Sequence, residues 1–474
     1  MIKRTKIVAT MGPACQDKAV LKAMILQGVD VCRINLSHGA HAEHLACIKL
    51  IEEIRKETGL PIGILADLQG PKLRIGNIEN GAIEIKKDDI LTFTTKEQIG
   101  NAEKVYMTYQ AFPKDVKVGE KVLVDDGKLV LEVIATDKVC EVQTKVLHGG
   151  LLKSKKGVNL PNTKISLNCL TEKDLIDLTF ALENKVDWVG LSFVRSARDI
   201  IELKHIISES RSTARVVAKI EKPEAIEDID FIIRETDAVM VARGDLGVEI
   251  PMEKVPRLQK IIVEKCRQNA KPVIIATQMM ESMIENISPT RAEVNDVANA
   301  VLDGADAVML SGETSVGAHP ITVIESMAKI IQEVESDPKI YHHETAPVYV
   351  TDERFMSDSI CFSAVRIAQR TEAKCMSTMT FSGYSALKLS SQRPKALVFA
   401  FTSNAELLTK LSLAWGVYGF FYDKMVSTDH TLEDVQYLLK KNGFVKQGDF
   451  IVNTASMPIA TKGKTNMIKL TQVS

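Results

Sequence analysis

The chain has 474 residues, enough for two or three domains, and a composition 45% hydrophobic and 26% charged excludes a fibrous or wholly disordered protein. A formal net charge of -1 gives no electrostatic case for binding nucleic acid or an anionic membrane surface. No apolar run reaches the ~20 residues that cross a bilayer, and the amino terminus enters a strand-like run without an apolar signal core, so neither a span nor a leader is expected.

In chain order, KIVATM (6–11), VDVCRIN (29–35) and PIGILAD (61–67) are short β-branched and aliphatic runs that close on a polar group or a glycine turn. Buried parallel strands read this way because helices cover both faces of the sheet. After Asp67 the pattern changes. Alternating runs near 121–125, 129–134 and 139–147, separated by turns such as Asp125–Gly127 and His148–Gly150, predict a small all-β module over 70–165, inserted between the third strand and its helix. The first pattern resumes at Thr171, a helix start with Asp174 three residues on. VDWVGLSFV (186–194), RVVAKIE (215–221), AVMVARGD (238–245), KPVIIAT (271–277) and ADAVMLSGE (305–313) follow, with helical periodicity between them, as over Asp199–Ser210 and Pro256–Asn269. Eight strands alternating with helices predict an α/β fold, a (β/α)8 TIM barrel over 1–69 and 166–340, with its chemistry at the C-terminal strand ends. A boundary is expected across 337–352, where Asp337-Pro338 and a mixed segment follow a helix. Beyond it, a helix over Ser357–Arg370 and strands around Cys375–Thr380 and Ala396–Thr402 predict a separate α/β domain over 352–474. Eight cysteines (15, 32, 47, 140, 169, 266, 361 and 375) include no CxxC pair, the usage of a reducing compartment, and a cytoplasmic location is expected.

The strand ends carry the candidate site. Glu221 closes the fifth strand and Asp245 follows the sixth, so a barrel puts both on one rim. Two carboxylates ~4 Å apart repel by roughly 4 kcal/mol at an effective dielectric of ~20, which one proton or an intervening cation relieves. Few protein donors, all oxygen, suit Mg²⁺. Lys219 lies two residues before Glu221 and so points to the same side of the strand. A lysine beside a divalent cation suits a transferring phosphoryl group. Arg33 and Arg74 add guanidinium forks. Gly244 lets backbone amides approach a carboxylate, and Thr277 and Ser311 place hydroxyls at the seventh and eighth strand ends. The ensemble points to Mg²⁺-assisted chemistry on a small phosphorylated anion.

Longer strings carry a resemblance. RINLSHG (33–39), GPKLRIG (70–76), KGVNLP (156–161), AKIEKPEAI (218–226), VARGDLGVEIP (241–251), ATQMMESM (276–283) and PTRAEVNDVANAVLDGADAVMLSGETSVGAHP (289–320) together resemble the pyruvate kinase family. The resemblance implies phosphoryl transfer from phosphoenolpyruvate to ADP, giving pyruvate and ATP as the last step of glycolysis. It assigns Lys219 to the phosphoryl in flight and Glu221 and Asp245 to Mg²⁺ or Mn²⁺. Ala242, Gly244 and Thr277 would hold the substrate carboxylate and Arg33 the phosphoryl group. Asn35, Arg74 and Lys156 match nucleotide or phosphate contacts, and His38 and Pro13 match positions near the adenine. Thr277, Ser311 and a water relay all remain open as the route of the enolate proton. The inserted module would be a lid that excludes water, and a homotetramer is implied.

Most members of that family use K⁺, at positions matching Asn35, Ser37, Asp67 and Leu68, and carry a threonine at Leu68 and an acidic residue at Lys72. This chain departs at both places, and an ammonium on Lys72 can supply the charge of K⁺, so no K⁺ requirement is expected. In the last domain TFSGYSA (380–386) places Thr380, Ser382, Gly383 and Ser385 at a helix start, a phosphate nest. It resembles the family's sugar-phosphate loop, and because a second basic contact is not evident in 440–474, a hexose or pentose monophosphate or AMP is as good an effector as a bisphosphate. ATKGKTN (460–466) fails the Walker pattern, with Pro458 where its first glycine would stand. His41 and His44 are expected on a helix surface, and Met279, Met280 and Met283 in the core. Two rivals remain: a pyruvate-dependent C–C lyase on the same kind of barrel, and a sugar-phosphate sensor without turnover.

Overall fold

The eight apolar runs close on themselves. Around the ring in chain order stand Lys6–Thr10, Val31–Asn35, Gly63–Asp67, Trp188–Leu191, Arg215–Ile220, Ala238–Ala242, Val273–Ala276 and Ala307–Leu310, and the eighth pairs with the first, Ala307 opposite Lys6. Every neighbouring pair is parallel. The computed structural model describes residues 2–348, 352–424, 427–459 and 463–474. Residues 349–351 of the expected interdomain boundary and 460–462 of the glycine–lysine stretch lie outside the described residues.

Strand alternation sorts the barrel into layers. Val8, Val31, Leu65, Trp188, Val217, Met240, Ile274 and Met309 fill the interior, while their neighbours, such as Ile7, Ile64, Val216 and Ile275, pack outward against the helices. One step of the alternation further up, two residues on, the same inward positions are Thr10, Arg33, Asp67, Gly190, Lys219, Ala242, Ala276 and Ser311. The candidate chemistry is thus the next layer of the packed interior. Gly190 is required in it: a Cβ there would lie 2.9 Å from Asp67 Oδ1.

At the opposite rim a second regularity appears. Asp30, Asp187, Asp237 and Asp306 each stand immediately before an even-numbered strand. Their carboxylates accept hydrogen bonds from the amides of Ile7, Ile64, Val216 and Val273 in the strand before, at 2.8, 2.8, 2.9 and 3.1 Å.

The segment between the third strand and the helix Glu172–Glu183 forms a six-stranded sheet, in the order Val158–Asn159, Lys121–Val124, Leu129–Thr136, Glu141–His148, Ile90–Thr94 and Lys104–Tyr106. It has its own core, in which Phe93 meets Phe112 edge to face at 5.8 Å. The carboxy-terminal sheet runs in the order Val417–Phe421, Leu397–Thr402, Cys375–Met379, Phe450–Ala455 and Met467–Gln472, parallel except for the last strand. It seats against the lower rim of the barrel, where buried Arg393 pairs with Asp306 at 3.0 Å and the Trp415 amide donates to the same carboxylate. Among the described residues, no helix is long and apolar enough to cross a membrane, and all eight cysteines are free.

Candidate active site

The fifth strand ends in the side chain on which the upper rim is built. Lys219 Nζ lies 2.6 Å from Ser192 Oγ, 2.9 Å from Glu221 Oε1 and 3.2 Å from Asp67 Oδ1. The alternation that predicts Lys219 and Glu221 on one side of the strand is realised as this contact. Burial works against the ammonium, but the Asp67 and Glu221 carboxylates outweigh it and hold Lys219 above the ordinary lysine range. Asp67 in turn accepts Arg33 Nε at 2.7 Å, and Arg33 Nη1 donates to Thr10 Oγ1 at 2.9 Å. Burial alone would raise Asp67, yet Lys219 and Arg33 keep it below the usual carboxylate value.

Glu221 is the strained member. Burial pushes its carboxyl up to about 6, with the Asp245 charge adding to the rise and Lys219 opposing it. Its Oε2 accepts the Phe193 amide at 2.7 Å, from a residue held at φ 55°. Arg33 and Lys219 against Asp67, Glu221 and Asp245 leave one net negative charge in a buried rim. A divalent cation between Glu221 and Asp245 relieves that repulsion and turns the rim positive toward an anion. Among the described residues no group of three or more His, Cys, Asp or Glu gathers as a metal cage. A two-carboxylate site of oxygen donors therefore fits Mg²⁺ or Mn²⁺, which takes the rest of its shell from water and substrate.

A second arm comes from the sixth, seventh and eighth strand ends. Thr277 sits at φ 70° and Gln278 at φ 54°, a backbone that L-residues rarely adopt. Arg243 holds it there: Nη2 donates to the Thr277 carbonyl at 2.7 Å, and the fork grips Asp296 at 2.6 Å on both oxygens. The strained turn aims Thr277 Oγ1 at the Gly244 amide, from which it accepts a bond at 2.8 Å. A Cβ on Gly244 would stand 3.3 Å from that hydroxyl. Buried Glu313 ties the eighth strand end to the seventh by accepting the Ser311 amide at 2.7 Å and the Met280 amide at 3.2 Å.

Residues 2–324 match the family described as "Pyruvate kinase, barrel domain", and 358–471 match "Pyruvate kinase, alpha/beta domain". The chain belongs to the pyruvate kinase family. A pyruvate kinase of Geobacillus stearothermophilus is 41% identical over 477 residues, covering 100% of this chain and 81% of the relative. One of Mycobacterium tuberculosis is 42% identical over 476 residues, covering 100% and 99%. A crystal structure of a pyruvate kinase from Cryptosporidium parvum superposes with a TM-score of 0.93 at 35% identity, covering 100% of this chain and 96% of that one. The activity is that of the family: phosphoryl transfer from phosphoenolpyruvate to ADP, giving pyruvate and ATP. Pyruvate kinases generally work with Mg²⁺ or Mn²⁺.

The geometry gathers Arg33, Asp67, Lys219, Glu221, Asp245, Ala242, Gly244, Thr277 and Ser311 on one rim. Asn35 and Ser37 lie on the adjoining loop, where Asn35 Oδ1 accepts the Ser37 amide at 3.1 Å. His38 on that loop and Pro13 after the first strand are exposed. Arg74 and Lys156 come from the inserted module, Arg74 donating to the Lys155 carbonyl at 3.0 Å and Lys156 pairing with Asp125 at 2.8 Å. Lys72 is exposed in a cleft that Asp126 and Asp245 also line. Asp67 takes its cations from Arg33 and Lys219. The leucine at position 68 is buried, and its carbonyl accepts Ser192 Oγ at 2.7 Å.

Thr380, Ser382 and Ser385 line a cavity of about 560 Å³ in the carboxy-terminal domain, with Arg354 and Lys464 on its wall. Gly383, at φ 86°, donates its amide to Thr380 Oγ1 at 2.9 Å and starts the helix Tyr384–Ser391. Lys464 supplies a basic group that sequence reasoning does not find in 440–474. Nothing in the flanking sequence marks it, because the fold alone brings Gly463, Lys464 and Thr465 to one cavity with Ser382. Ser192 and Arg243 are missed as well, although each stands at a strand end where a polar residue interrupts an apolar run. His41 Nε2 meets Asp177 at 2.7 Å and its ring stacks on Phe180. Met279, Met280 and Met283 are buried.

Proposed function

We propose that Lys219 and Arg33 carry the charge of the phosphoryl group as it leaves phosphoenolpyruvate for ADP, and that Glu221 and Asp245 hold the divalent cation. The Lys219 ammonium, fixed by Asp67, Glu221 and Ser192, is the observation that carries the reading. The bound ion supplies Lewis-acid neutralisation of substrate oxygens. The Ala242–Gly244 backbone and Thr277 Oγ1 receive the substrate carboxylate, a role the strained turn at Thr277 supports. The P–O bond to the enol oxygen breaks while an oxygen of the ADP β-phosphate bonds to phosphorus, and the enolate then takes a proton at carbon through Thr277, Ser311 or a water relay. Asn35, Pro13, His38, Arg74 and Lys156 receive the nucleotide, the last two from the segment 70–165 acting as a lid over the barrel of 1–69 and 166–340.

Lys72 stands in for K⁺, and the chain turns over without it, in a cytoplasmic homotetramer. Supporting this are the leucine at position 68, whose side chain offers no oxygen, and the exposed Lys72 ammonium in the cleft that Asp245 also lines. The domain 352–474 binds a phosphorylated effector, a sugar phosphate or AMP, at Thr380, Ser382, Gly383 and Ser385. Strand order supports that reading, since Cys375–Met379 is the point where the sheet order reverses and loops leave its strands in opposite directions.

The test is pyruvate formation from phosphoenolpyruvate and ADP with Mg²⁺ in K⁺-free buffer, repeated with K⁺ and for Lys72→Glu. Turnover without K⁺, lost in Lys72→Glu and restored by K⁺, is expected. A native chain that is silent until K⁺ is added overturns the lysine assignment and keeps the rest. Adding glucose 6-phosphate, ribose 5-phosphate or AMP should lower the phosphoenolpyruvate requirement. A Ser382→Asp variant that responds as the native chain does removes the effector loop.

A further inference from the structure

Three arms of the site, carried by segments far apart in sequence, converge on one buried carboxylate that takes no part in the chemistry. Glu249, 4% exposed, ends the helix Arg243–Glu249 that carries Gly244 and Asp245. Its Oε1 accepts Lys222 Nζ at 2.5 Å, and Lys222 directly follows Glu221. The same oxygen accepts Asn159 Nδ2 at 2.8 Å. Asn159 lies in the return strand of the inserted module, three residues after Lys156. That strand is laced to the outgoing one, because the Ile75 amide donates to the Lys156 carbonyl at 3.0 Å and the Val158 amide to the Leu73 carbonyl at 2.9 Å. Glu249 therefore touches the hinge through which the lid carries both Arg74 and Lys156.

We infer that Glu249, through Asn159, is a positioning residue that registers the lid hinge against both metal-ligand loops. The inference rests on the roles given above to Glu221, Asp245 and Lys156. Lys222, 7% exposed, balances the buried charge of Glu249, so the pair persists whether or not the lid is docked. Asn159 is the neutral arm that crosses the seam. The seam is narrow: a cavity of about 30 Å³ is lined by Lys72, Asn159, Phe193, Lys222 and Asp245. A hydrogen bond at 2.8 Å weakens steeply with an ångström of displacement, so this contact distinguishes a seated lid from a displaced one. Glu249 Oε2 is buried and without a hydrogen-bond partner among the described residues, so the same carboxylate holds a second acceptor. Seating the lid places the nucleotide contacts and keeps water from the phosphoryl group.

The consequence is read from where the phosphoryl group goes. When the lid is poorly registered, the same enol P–O bond breaks but a water oxygen bonds to phosphorus, releasing phosphate and pyruvate in place of ATP. Asn159→Ala removes the lid link and leaves the buried Lys222–Glu249 pair whole. With Mg²⁺, phosphoenolpyruvate and ADP, this variant should raise the ratio of phosphate released to ATP formed by about tenfold, and raise KM for ADP about tenfold, with KM for phosphoenolpyruvate moving less than ~2-fold. Asn159→Asp combined with Glu249→Gln exchanges donor and acceptor across the same bond and keeps one carboxylate for Lys222. It should return the ratio to within about threefold of the native value. An Asn159→Ala chain that keeps its melting temperature, phosphate-to-ATP ratio and KM for ADP overturns the inference. So does one that loses kcat alone at an unchanged ratio, since a merely structural role does that. A native chain that transfers no phosphoryl group to ADP overturns the site reading itself.

Discussion

The two rims of the barrel use the same kind of residue in opposite ways. Below, Asp30, Asp187, Asp237 and Asp306 each accept a strand amide and also meet a cation: Lys3, Arg55 at 2.7 Å, Lys204 at 3.0 Å and Arg393 at 3.0 Å. They are the closing clasps of successive strand pairs, one for every even strand. Above, Glu221 accepts one amide and one lysine, yet burial and Asp245 still lift its carboxyl to about 6. The lower carboxylates are satisfied by the fold, while Glu221 above is held against burial and the neighbouring charge of Asp245. In a (β/α)8 barrel this division is positional: the amino-terminal rim stabilises and the carboxy-terminal rim reacts.

The comparison is broken most directly by exchanging a residue at each rim. Lys219→Met should lower kcat by roughly 10³-fold, the loss expected when a preorganised charge at the reacting group is removed, while circular dichroism and the melting temperature change little. A variant within tenfold of native activity would mean the upper rim is not the reacting end. Asp306→Ala should do the reverse. It strands Arg393, a guanidinium 2% exposed, and removes the acceptor for the Val273 and Trp415 amides. Breaking a buried pair by removing one partner costs about 3 kcal/mol or more, seen as a lower thermal midpoint, with kcat in the folded fraction within threefold of native. Asp187→Asn is milder, because an amide oxygen in the Oδ2 position still accepts the Ile64 amide, while the charge facing Arg55 and the acceptor for the Thr409 hydroxyl are lost. About 1 kcal/mol is expected from urea unfolding; no change would reduce the lower clasps to backbone hydrogen bonding alone.

How far each rim was legible in the sequence follows the same division. The upper rim was readable because its residues close apolar runs: a run that ends AKIE or ARGD has no packing reason to do so. Alternation alone then put Lys219 and Glu221 on one side. Ser192 and Arg243 escaped because their roles come from neighbours distant in sequence, on adjoining strand ends for Leu68, Lys219 and Thr277 and on the helix Arg291–Leu302 for Asp296. The lower rim is spelled out as well, in Val29-Asp30-Val31, Val186-Asp187-Trp188, Thr236-Asp237-Ala238 and Ala305-Asp306-Ala307, yet the β/α alternation alone does not single these aspartates out. An aspartate before a strand looks like ordinary loop punctuation until the sheet register shows which amide it reaches. Glu249 and Lys464 are similar: their partners lie 90 and 111 residues away, at Asn159 and Glu353.

The comparison is sharpened by a cation of the lower rim that burial disfavours. Lys6 Nζ donates to the Val417 carbonyl at 3.0 Å and lies 4.4 Å from the centre of the Tyr418 ring, with Asp30 at 3.9 Å. Burial pushes its pKa down from the ordinary 10.5 to about 8; Asp30, Glu335 and Asp306 pull it back up, and Lys3 adds to the fall. Between those two values the unfolded chain binds more protons than the folded one, so stability should rise with pH from about 8 to 10.5 and be flat below. Lys6→Met removes the buried charge but also a hydrogen bond to a carbonyl, worth about 1 kcal/mol. The full shift corresponds to at most ~3 kcal/mol, so a net gain of about 1 kcal/mol at pH 7 is expected, together with loss of the alkaline rise. Urea midpoints at pH 7, 8.5 and 10 for both chains read both effects. A native midpoint that falls steadily over that range would show that Lys6 keeps its charge in the fold, satisfied like the clasps beside it.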